Sequence, residues 1–175
     1  MKTRRIASSI ALAAAIALGA TGCGLIAPQG TLHQYAPSDG IDVTLENVAV
    51  RNLLLIADEN GENFNVVFTA VNNNDAPLQL RLAFEGGTTA DFVVEPGVNV
   101  FGSFDGEVPP TIVQLKGVAA GDTVNAVIAS SGGEEEREIP VLDGTLAEYK
   151  SLVPTTERVE TLEADEAEAA AEAAQ

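Results

Sequence analysis

Short alternations of apolar and polar residues run through residues 41–153 and predict a domain built from β-strands. The clearest one spans 78–85, where the leucines and Phe84 fall on one face and Gln79, Arg81 and Glu85 on the other. A period of two is typical of a strand with one buried face. Similar runs occupy 92–95, 98–101, 112–115, 124–128 and 139–141, with turns rich in Gly or Pro between them. We therefore predict an all-β sandwich or barrel.

The order of these runs also predicts how neighbouring strands are connected. The apolar residues of 64–70 share one face, and the polar segment 72–75 then leads into the strand at 78–85, which predicts a hairpin. The continuous apolar run 53–56 indicates a strand that is buried on both faces. We expect residues 58–63 to form the turn that follows it.

Three further features bear on the arrangement of the strands. The apolar parity changes between residues 43–45 and 48–50, which predicts a bulge or corner at 46–47. Pro140 lacks a ladder hydrogen-bond donor, so it places the last strand at a sheet edge. Residues 145–152 are expected to form a short closing helix.

The N-terminus resembles a bacterial lipoprotein signal. Three basic residues precede an apolar run over 6–20, and small residues then lead to Cys23. An apolar run of about fifteen residues is too short to span a membrane comfortably, because a spanning helix needs roughly twenty. We predict a signal peptide over 1–22, cleavage between Gly22 and Cys23, and diacylation of the Cys23 sulfur.

Two other interpretations of this segment stay open, an uncleaved anchor helix and an ordinary secretory peptide cut near Ala20. Against the second, Cys23 is the only cysteine and would be an unpaired thiol in an oxidising compartment. The lipoprotein interpretation places the protein at the extracytoplasmic face of the cell membrane, held there by its lipid anchor. Residues 23–39 would be the lipidated cysteine and a flexible linker, in which the only histidine, His33, is solvated.

Charge limits the range of partners. Three basic residues and no acidic ones precede Cys23, which leaves six basic against 26 acidic residues and a net charge of −20 after cleavage. A chain this acidic repels phosphate backbones, and its sequence offers no basic patch through which counterions could be released. We predict that nucleic acid is not a partner.

The last segment, 154–175, is rich in Ala and Glu and differs from the domain before it. Both residues favour helix, but Glu residues three and four positions apart repel each other. The composition therefore predicts an acidic tail that is disordered or weakly helical. The alternative is a helix that forms on a basic partner.

Residues 40–153 lack the groups that most catalytic sites need. They contain no His, so the Ser-His and Cys-His arrangements are unavailable, and no glycine-rich phosphate loop opens a helix. A pair of carboxylates for glycoside hydrolysis stays open, although the absence of Trp disfavours a sugar cleft. We predict that the protein is not an enzyme and binds no cofactor.

Two acidic segments could be taken for cation sites. Residues 58–63 place oxygen ligands around Gly61, but the glycine is misplaced for an EF-hand and the closing Glu is missing. A hairpin turn is favoured at 58–63. The second acidic segment, 134–138, is interpreted as the solvated entrance of a strand. We predict no metal site in either.

Five segments of the chain resemble those of a known family in their strand motifs and spacing. They are 40–50, 66–72, 96–106, which ends in Ser103-Phe104-Asp105-Gly106, 112–127 and 139–141. They are similar to the LpqE-like lipoproteins of actinobacteria, which are distantly similar to the PCuAC periplasmic copper chaperones. The resemblance covers roughly residues 40–145. It implies a single cupredoxin- or immunoglobulin-like antiparallel β-sandwich, here assigned to 40–153, outside the cytoplasmic membrane.

The resemblance does not transfer a copper site. Members that act as copper chaperones hold Cu(I) with His and Met side chains, and soft Cu(I) requires thioether, thiolate or imidazole ligands. In this chain Met1 is lost with the leader, Cys23 would be acylated and His33 precedes the domain. None of the family's ligand positions can therefore be assigned here.

These observations predict a membrane-anchored extracytoplasmic lipoprotein that is non-catalytic and acts as a protein-interaction or envelope accessory module, its envelope protein partner unknown. One alternative is an accessory factor in copper homeostasis that works with a ligand-bearing partner. Another is polysaccharide or lipid binding, which would require an apolar groove.

Overall fold

The computed structural model describes residues 30, 35–106 and 108–173. The sandwich and the helix that follows it belong to one unit, residues 36–175. The predictions of a signal peptide, of cleavage between Gly22 and Cys23, of lipidation at Cys23 and of a solvated His33 lie outside the described residues.

Nine strands, one 3₁₀ turn and one α-helix make up the described part of this unit. The strands are β1 (Ile41–Thr44), β2 (Val48–Ala57), β3 (Asn63–Asn72), β4 (Leu78–Phe84), β5 (Thr89–Val94), β6 (Gly97–Phe101), β7 (Ile112–Gln114), β8 (Thr123–Ser130) and β9 (Gly133–Leu142). The 3₁₀ turn is Lys150–Leu152 and helix α1 is Thr156–Ala173.

The strands form two sheets that pack face to face. In the first sheet, β1 pairs with β2, β2 with β3, and β3 with both β6 and β7. The second sheet has the order β5-β4-β8-β9. The end of β9 also pairs with β2, in parallel, and so joins the two sheets along one side. The fold is thus the predicted all-β, cupredoxin- or immunoglobulin-like sandwich, antiparallel except at this junction.

The core lies between the two sheets and follows the predicted alternation. In β4, Leu78, Leu80 and Leu82 point inward and are buried. Phe68 of the first sheet stacks on Phe101 at 4.6 Å between ring centroids and meets Phe92 of the second sheet edge-on at 4.8 Å. Such aromatic pairs contribute about 0.5–1.5 kcal/mol beyond the area they bury. The three rings therefore hold the sheets together where β5 faces β3 and β6.

The predicted hairpin between 64–70 and 78–85 is wrong. β3 pairs with β2, β6 and β7, whereas β4 pairs with β5 and β8, so the chain crosses from one sheet to the other between them. Asn72 shapes this crossing. Its Nδ2 donates to the carbonyls of Ala76 and Val94 at 2.9 Å, and its Oδ1 accepts from the backbone N–H of Asn74.

The expected bulge or corner at 46–47 is a hairpin turn instead. β1 and β2 are antiparallel neighbours, and the N–H of Leu45 donates to the carbonyl of Val48 at 3.0 Å. The turn accounts for the change of parity between 43–45 and 48–50, and a second change falls within β2, where the β2–β3 register shifts between Arg51 and Leu54. Asn52 has a φ of 52° at this bulge, and its side chain accepts from the N–H of Gly40. The bulge lets both halves of β2 face the core.

Several other expectations are confirmed. Residues 53–56 are fully buried in β2, and residues 58–63 connect β2 to β3 as an antiparallel turn. Pro140 lies in β9, the edge strand of the second sheet, just before that strand reaches β2. The neighbouring Val141 directs both its N–H and its C=O to the β8 side, so the nitrogen of Pro140 faces the open side, where no donor is needed.

The C-terminal segments differ from the prediction in how much helix they form: the tail is helical, and the segment 145–152 before it is mostly not. Of the two states given for the tail, helix is observed, since α1 extends over 18 residues. Thr155 caps the start of the helix: its hydroxyl accepts a hydrogen bond from the N–H of Arg158, and its carbonyl accepts one from the N–H of Val159. The short helix expected at 145–152 is reduced to a 3₁₀ turn at its end.

Candidate interaction surface

The outer face of the first sheet carries exposed apolar residues on its β6 side. The register places Ala49, Val71 and Val98 side by side across β2, β3 and β6, with Thr69 and Val100 in the next row. Val98 and Val100 are 72% and 58% exposed. We call these five residues the valine face. Single exposed apolar residues are common on protein surfaces, whereas contiguous apolar patches mark contact surfaces.

The valine face contains no acidic side chain, although the chain has 26 Asp and Glu residues. β2, β3 and β6 together contain one charged residue, Arg51. Its Nη1 donates to the carbonyls of Val43 at 3.0 Å and Val50 at 2.8 Å, and its Nε lies 3.9 Å from Asp42. The guanidinium is thus turned toward β1, and the area beside it is neutral.

β6 is a terminal strand and pairs with β3 alone among the described strands. Edge strands usually carry charges that discourage pairing with another chain. β5, the other terminal strand, carries Asp91, whose carboxylate pairs with Arg81 at 2.6 Å. The free edge of β9 has five consecutive charged residues, 134–138, in the predicted solvated entrance of that strand. β6 has none.

The orientation of β6 depends on Asn99. Its side chain turns back on the preceding loop, where Nδ2 donates to the carbonyl of Glu95 at 2.7 Å and Oδ1 accepts from the N–H of Glu95 at 3.1 Å. Gly97, at a φ of 92°, makes the tight turn. Asn99 and Phe101 therefore take the inward positions, and Val98 and Val100 point to solvent.

The other half of the same outer face is covered. Leu54 and Ile56 point outward from β2 and are nevertheless fully buried. Beside Ile56 on β3, Asn65 donates from Nδ2 to the carbonyls of Gly102 at 2.7 Å and Leu152 at 2.8 Å. Its Oδ1 is buried and has no hydrogen-bond partner among the described residues. Residues 150–155, which we call the C-terminal strap, therefore cross this half of the sheet.

Arg158 attaches helix α1 to the strap. Its Nη1 donates to the carbonyls of Ser151 and Val153, both at 3.0 Å, and its guanidinium lies 4.6 Å from the ring centroid of Phe104. A planar cation that stacks on an aromatic ring and donates in its own plane is well suited to such a junction. The helix therefore starts at the outer face of the first sheet.

A groove of about 710 Å³ lies at one end of the sandwich, lined in part by Asp58, Gly61, Asp143 and Lys150. The Asp58 carboxylate accepts from the N–H groups of Asn60 and Glu62 and from Asn63 Nδ2. Partial burial tends to raise the pKa of Asp58, but these hydrogen bonds outweigh it and lower the pKa below its usual value. The carboxylate thus serves to close the turn.

The described residues contain no group of three or more His, Cys, Asp or Glu side chains placed to hold a metal ion. The sequence of 40–153 also lacks His, Cys and Met. These residues do not fit Cu(I), which requires soft ligands. Within 35–106 and 108–173, no helix has both the length and the apolar character needed to cross a membrane.

Tyr149 makes a separate polar contact near the groove. Its hydroxyl donates to Oδ2 of Asp39 at 2.5 Å. This hydrogen bond, with lesser effects from burial and from the charges of Asp39 and Glu148, raises the pKa of Tyr149 to about 12. The contact ties the segment before β1 to the segment after β9.

Comparisons with known proteins give a distant likeness to solved structures. No protein-family model and no curated protein matches the chain. Among solved structures, the apo PCuAC domain of PmoF2 is similar with a TM-score of 0.45 and 11% identity, over 60% of this chain and 97% of that domain. The resemblance to LpqE-like lipoproteins stays a prediction.

Proposed function

We propose that this protein is a non-catalytic protein-interaction module of the cell envelope, held at the extracytoplasmic face of the cell membrane by a lipid on Cys23. The observation that carries the interaction role is the valine face, an exposed apolar and acid-free area on a strongly acidic chain. The anchor rests on the N-terminal sequence pattern.

The chemistry of the valine face favours contact with protein. Desolvating Val71, Val98 and Val100 contributes about 25 cal/mol per Å² of apolar area, and no buried acid opposes it. An anionic surface would be repelled by the acidic remainder of the chain. A neutral, partly apolar protein surface is not repelled in this way and can bury the valines without burying a charge.

Site-specific photo-cross-linking in intact cells tests the interaction role. A photoreactive amino acid replaces Val100 in the full chain, and the matched control replaces Val93, which is 52% exposed on the outer side of β5. We expect an identified protein adduct from position 100 and none from position 93. Equal labelling at both positions, or no adduct at position 100, contradicts the proposal.

The anchor has an independent test. Mass spectrometry of the protein from membranes should show a new N-terminus at Cys23 that carries acyl chains, and Cys23→Ser should abolish both the acylation and the cleavage after Gly22, leaving the leader on the chain. Two long acyl chains make attachment effectively permanent, since each buried methylene contributes about 0.8 kcal/mol. An intact leader or a free Cys23 thiol would contradict the anchor.

An accessory role in copper homeostasis is the alternative proposal, and it requires a partner that supplies the ligands. Residues 40–153 contain no His, Cys or Met. We therefore expect that one equivalent of the acyl-free chain does not remove Cu(I) from a chromophoric chelator in a competition assay. Tight stoichiometric binding by the chain alone would show a site that the sequence does not reveal.

A further inference from the structure

We propose that the partner of the valine face is a second copy of this chain, joined by antiparallel pairing of the two β6 strands. The inference rests on the proposed interaction role and names its partner. It makes the β6 edge, which ends the first sheet, the centre of a sheet that continues from one copy into the other.

The backbone of β6 is suited to such pairing. Alternate N–H and C=O groups of an edge strand point away from its neighbour and can pair with another strand. Charged residues occur at the edges formed by β5 and β9, whereas residues 97–101 are uncharged. The deterrent to edge pairing is therefore present at β5 and β9 and missing at β6.

The sequence of β6 is complementary to itself. A two-fold axis at Asn99 sets Val98 opposite Val100 of the second copy and Gly97 opposite Phe101. Each outer pair is then valine against valine, the kind of cross-strand contact that stabilises a sheet by about 0.2–1 kcal/mol. The outer row Ala49, Val71 and Val98 would continue without a break into the second copy.

The neutrality of the valine face argues against an oppositely charged partner at this surface. A cationic partner would be attracted to the acidic surfaces, and the valine face offers it no acidic side chain. Two copies of a chain with a net charge of −20 after cleavage repel each other except where both surfaces are neutral. A short pairing suffices if both copies are tethered to one membrane, because tethering raises their effective concentration.

Disulfide trapping in intact cells tests this arrangement. Two differently tagged full-length chains are co-expressed, one with Val98→Cys and the other with Val100→Cys, and are oxidised and separated without reductant. Directly opposed residues have Cβ atoms about 4.5–5.5 Å apart, near disulfide geometry, whereas diagonal neighbours lie about 7–8 Å apart. We expect at least fivefold more mixed-tag dimer than from Val98→Cys in both chains.

Val93→Cys in both chains is the matched control, because it places a cysteine on the other terminal strand at a position that is 52% exposed, against 58% for Val100, while Cys23 stays unchanged. A mixed-tag yield no higher than this control overturns the inference. If photo-cross-linking at position 100 captures a different protein and the disulfide dimer is absent, the proposal of a second copy is overturned and the proposed interaction role stands. The absence of both products would contradict both proposals.

Discussion

At the scale of single residues, Asn72 decides whether the chain can cross between the sheets. It is 2% exposed, and its amide satisfies the carbonyls of Ala76 and Val94. We expect Asn72→Ala to lower the free energy of unfolding by roughly 1–3 kcal/mol, since buried carbonyls lose their donor. Urea denaturation measures this loss. Asn73→Ala, a change at an exposed neighbour, should cost less than about 0.5 kcal/mol, and an equal loss from both would contradict the role of Asn72.

A second residue-scale prediction concerns the ionisation of Tyr149. Because Asp39 raises its pKa from 10.0 to about 12, the contact contributes stability fully below pH 10 and loses it as the pH rises through 12. Difference absorbance titration between the wild type and Tyr149→Phe should give a midpoint near 12. Asp39→Asn should bring that midpoint back toward 10, whereas Glu148→Gln, which removes only the smallest of the contributions to the raised pKa, should shift it much less. An unchanged midpoint in Asp39→Asn would contradict the assigned cause.

At the scale of elements, helix α1 depends on its junction with the strap. Arg158→Gln removes the stacking on Phe104 and the charged donors to Ser151 and Val153. An isolated helix of 18 residues with repelling glutamates is marginal in water, so we expect a clear loss of ellipticity at 222 nm and faster proteolysis of the tail. The sandwich should remain folded.

The matched variant for this junction is Arg158→Lys, which keeps the charge but replaces the planar fork with a single ammonium. It should retain only part of the ellipticity that Arg158→Gln loses. Full retention in both variants would show that the helix does not depend on the junction.

The elements themselves could be predicted from the sequence more readily than their partners. Alternation identifies a strand and its buried face, as in β4, but it does not say which sheet the strand joins. The polar residues 72–75 indicate a change of direction equally well in a hairpin and in the observed crossing. The difference lies in long-range contacts of Asn72 with Val94, and no local pattern contains them.

The valine face escaped sequence-based prediction because β6 reverses the usual pattern. Its valines would be assigned to the core and Asn99 to solvent, yet Asn99 is directed inward by its bonds to Glu95. The available signal was the Pro-Gly turn followed by Asn two residues later. Asn bonds readily to nearby backbone, which can outweigh hydrophobic alternation in a strand of five residues.

At the scale of the whole molecule, net charge opposes association and the valine face favours it, so salt should control the balance. The Debye length falls from about 10 Å at 0.1 M salt to about 3 Å at 1 M. Screening weakens the repulsion between two cleaved copies with a net charge of −20 each, and it leaves the uncharged β6 contact intact. Self-association should therefore strengthen as salt is added.

Membranes from the cells that express Val98→Cys and Val100→Cys provide the measurement. We expect the yield of mixed-tag disulfide to rise roughly threefold or more between 0.1 and 1 M NaCl, by reduced repulsion between tethered copies. The Val93→Cys pair reports any effect of salt on thiol oxidation itself and should change little. A mixed-tag yield that falls with salt would mean that attraction between opposite charges, and so a cationic bridging partner, holds the copies together.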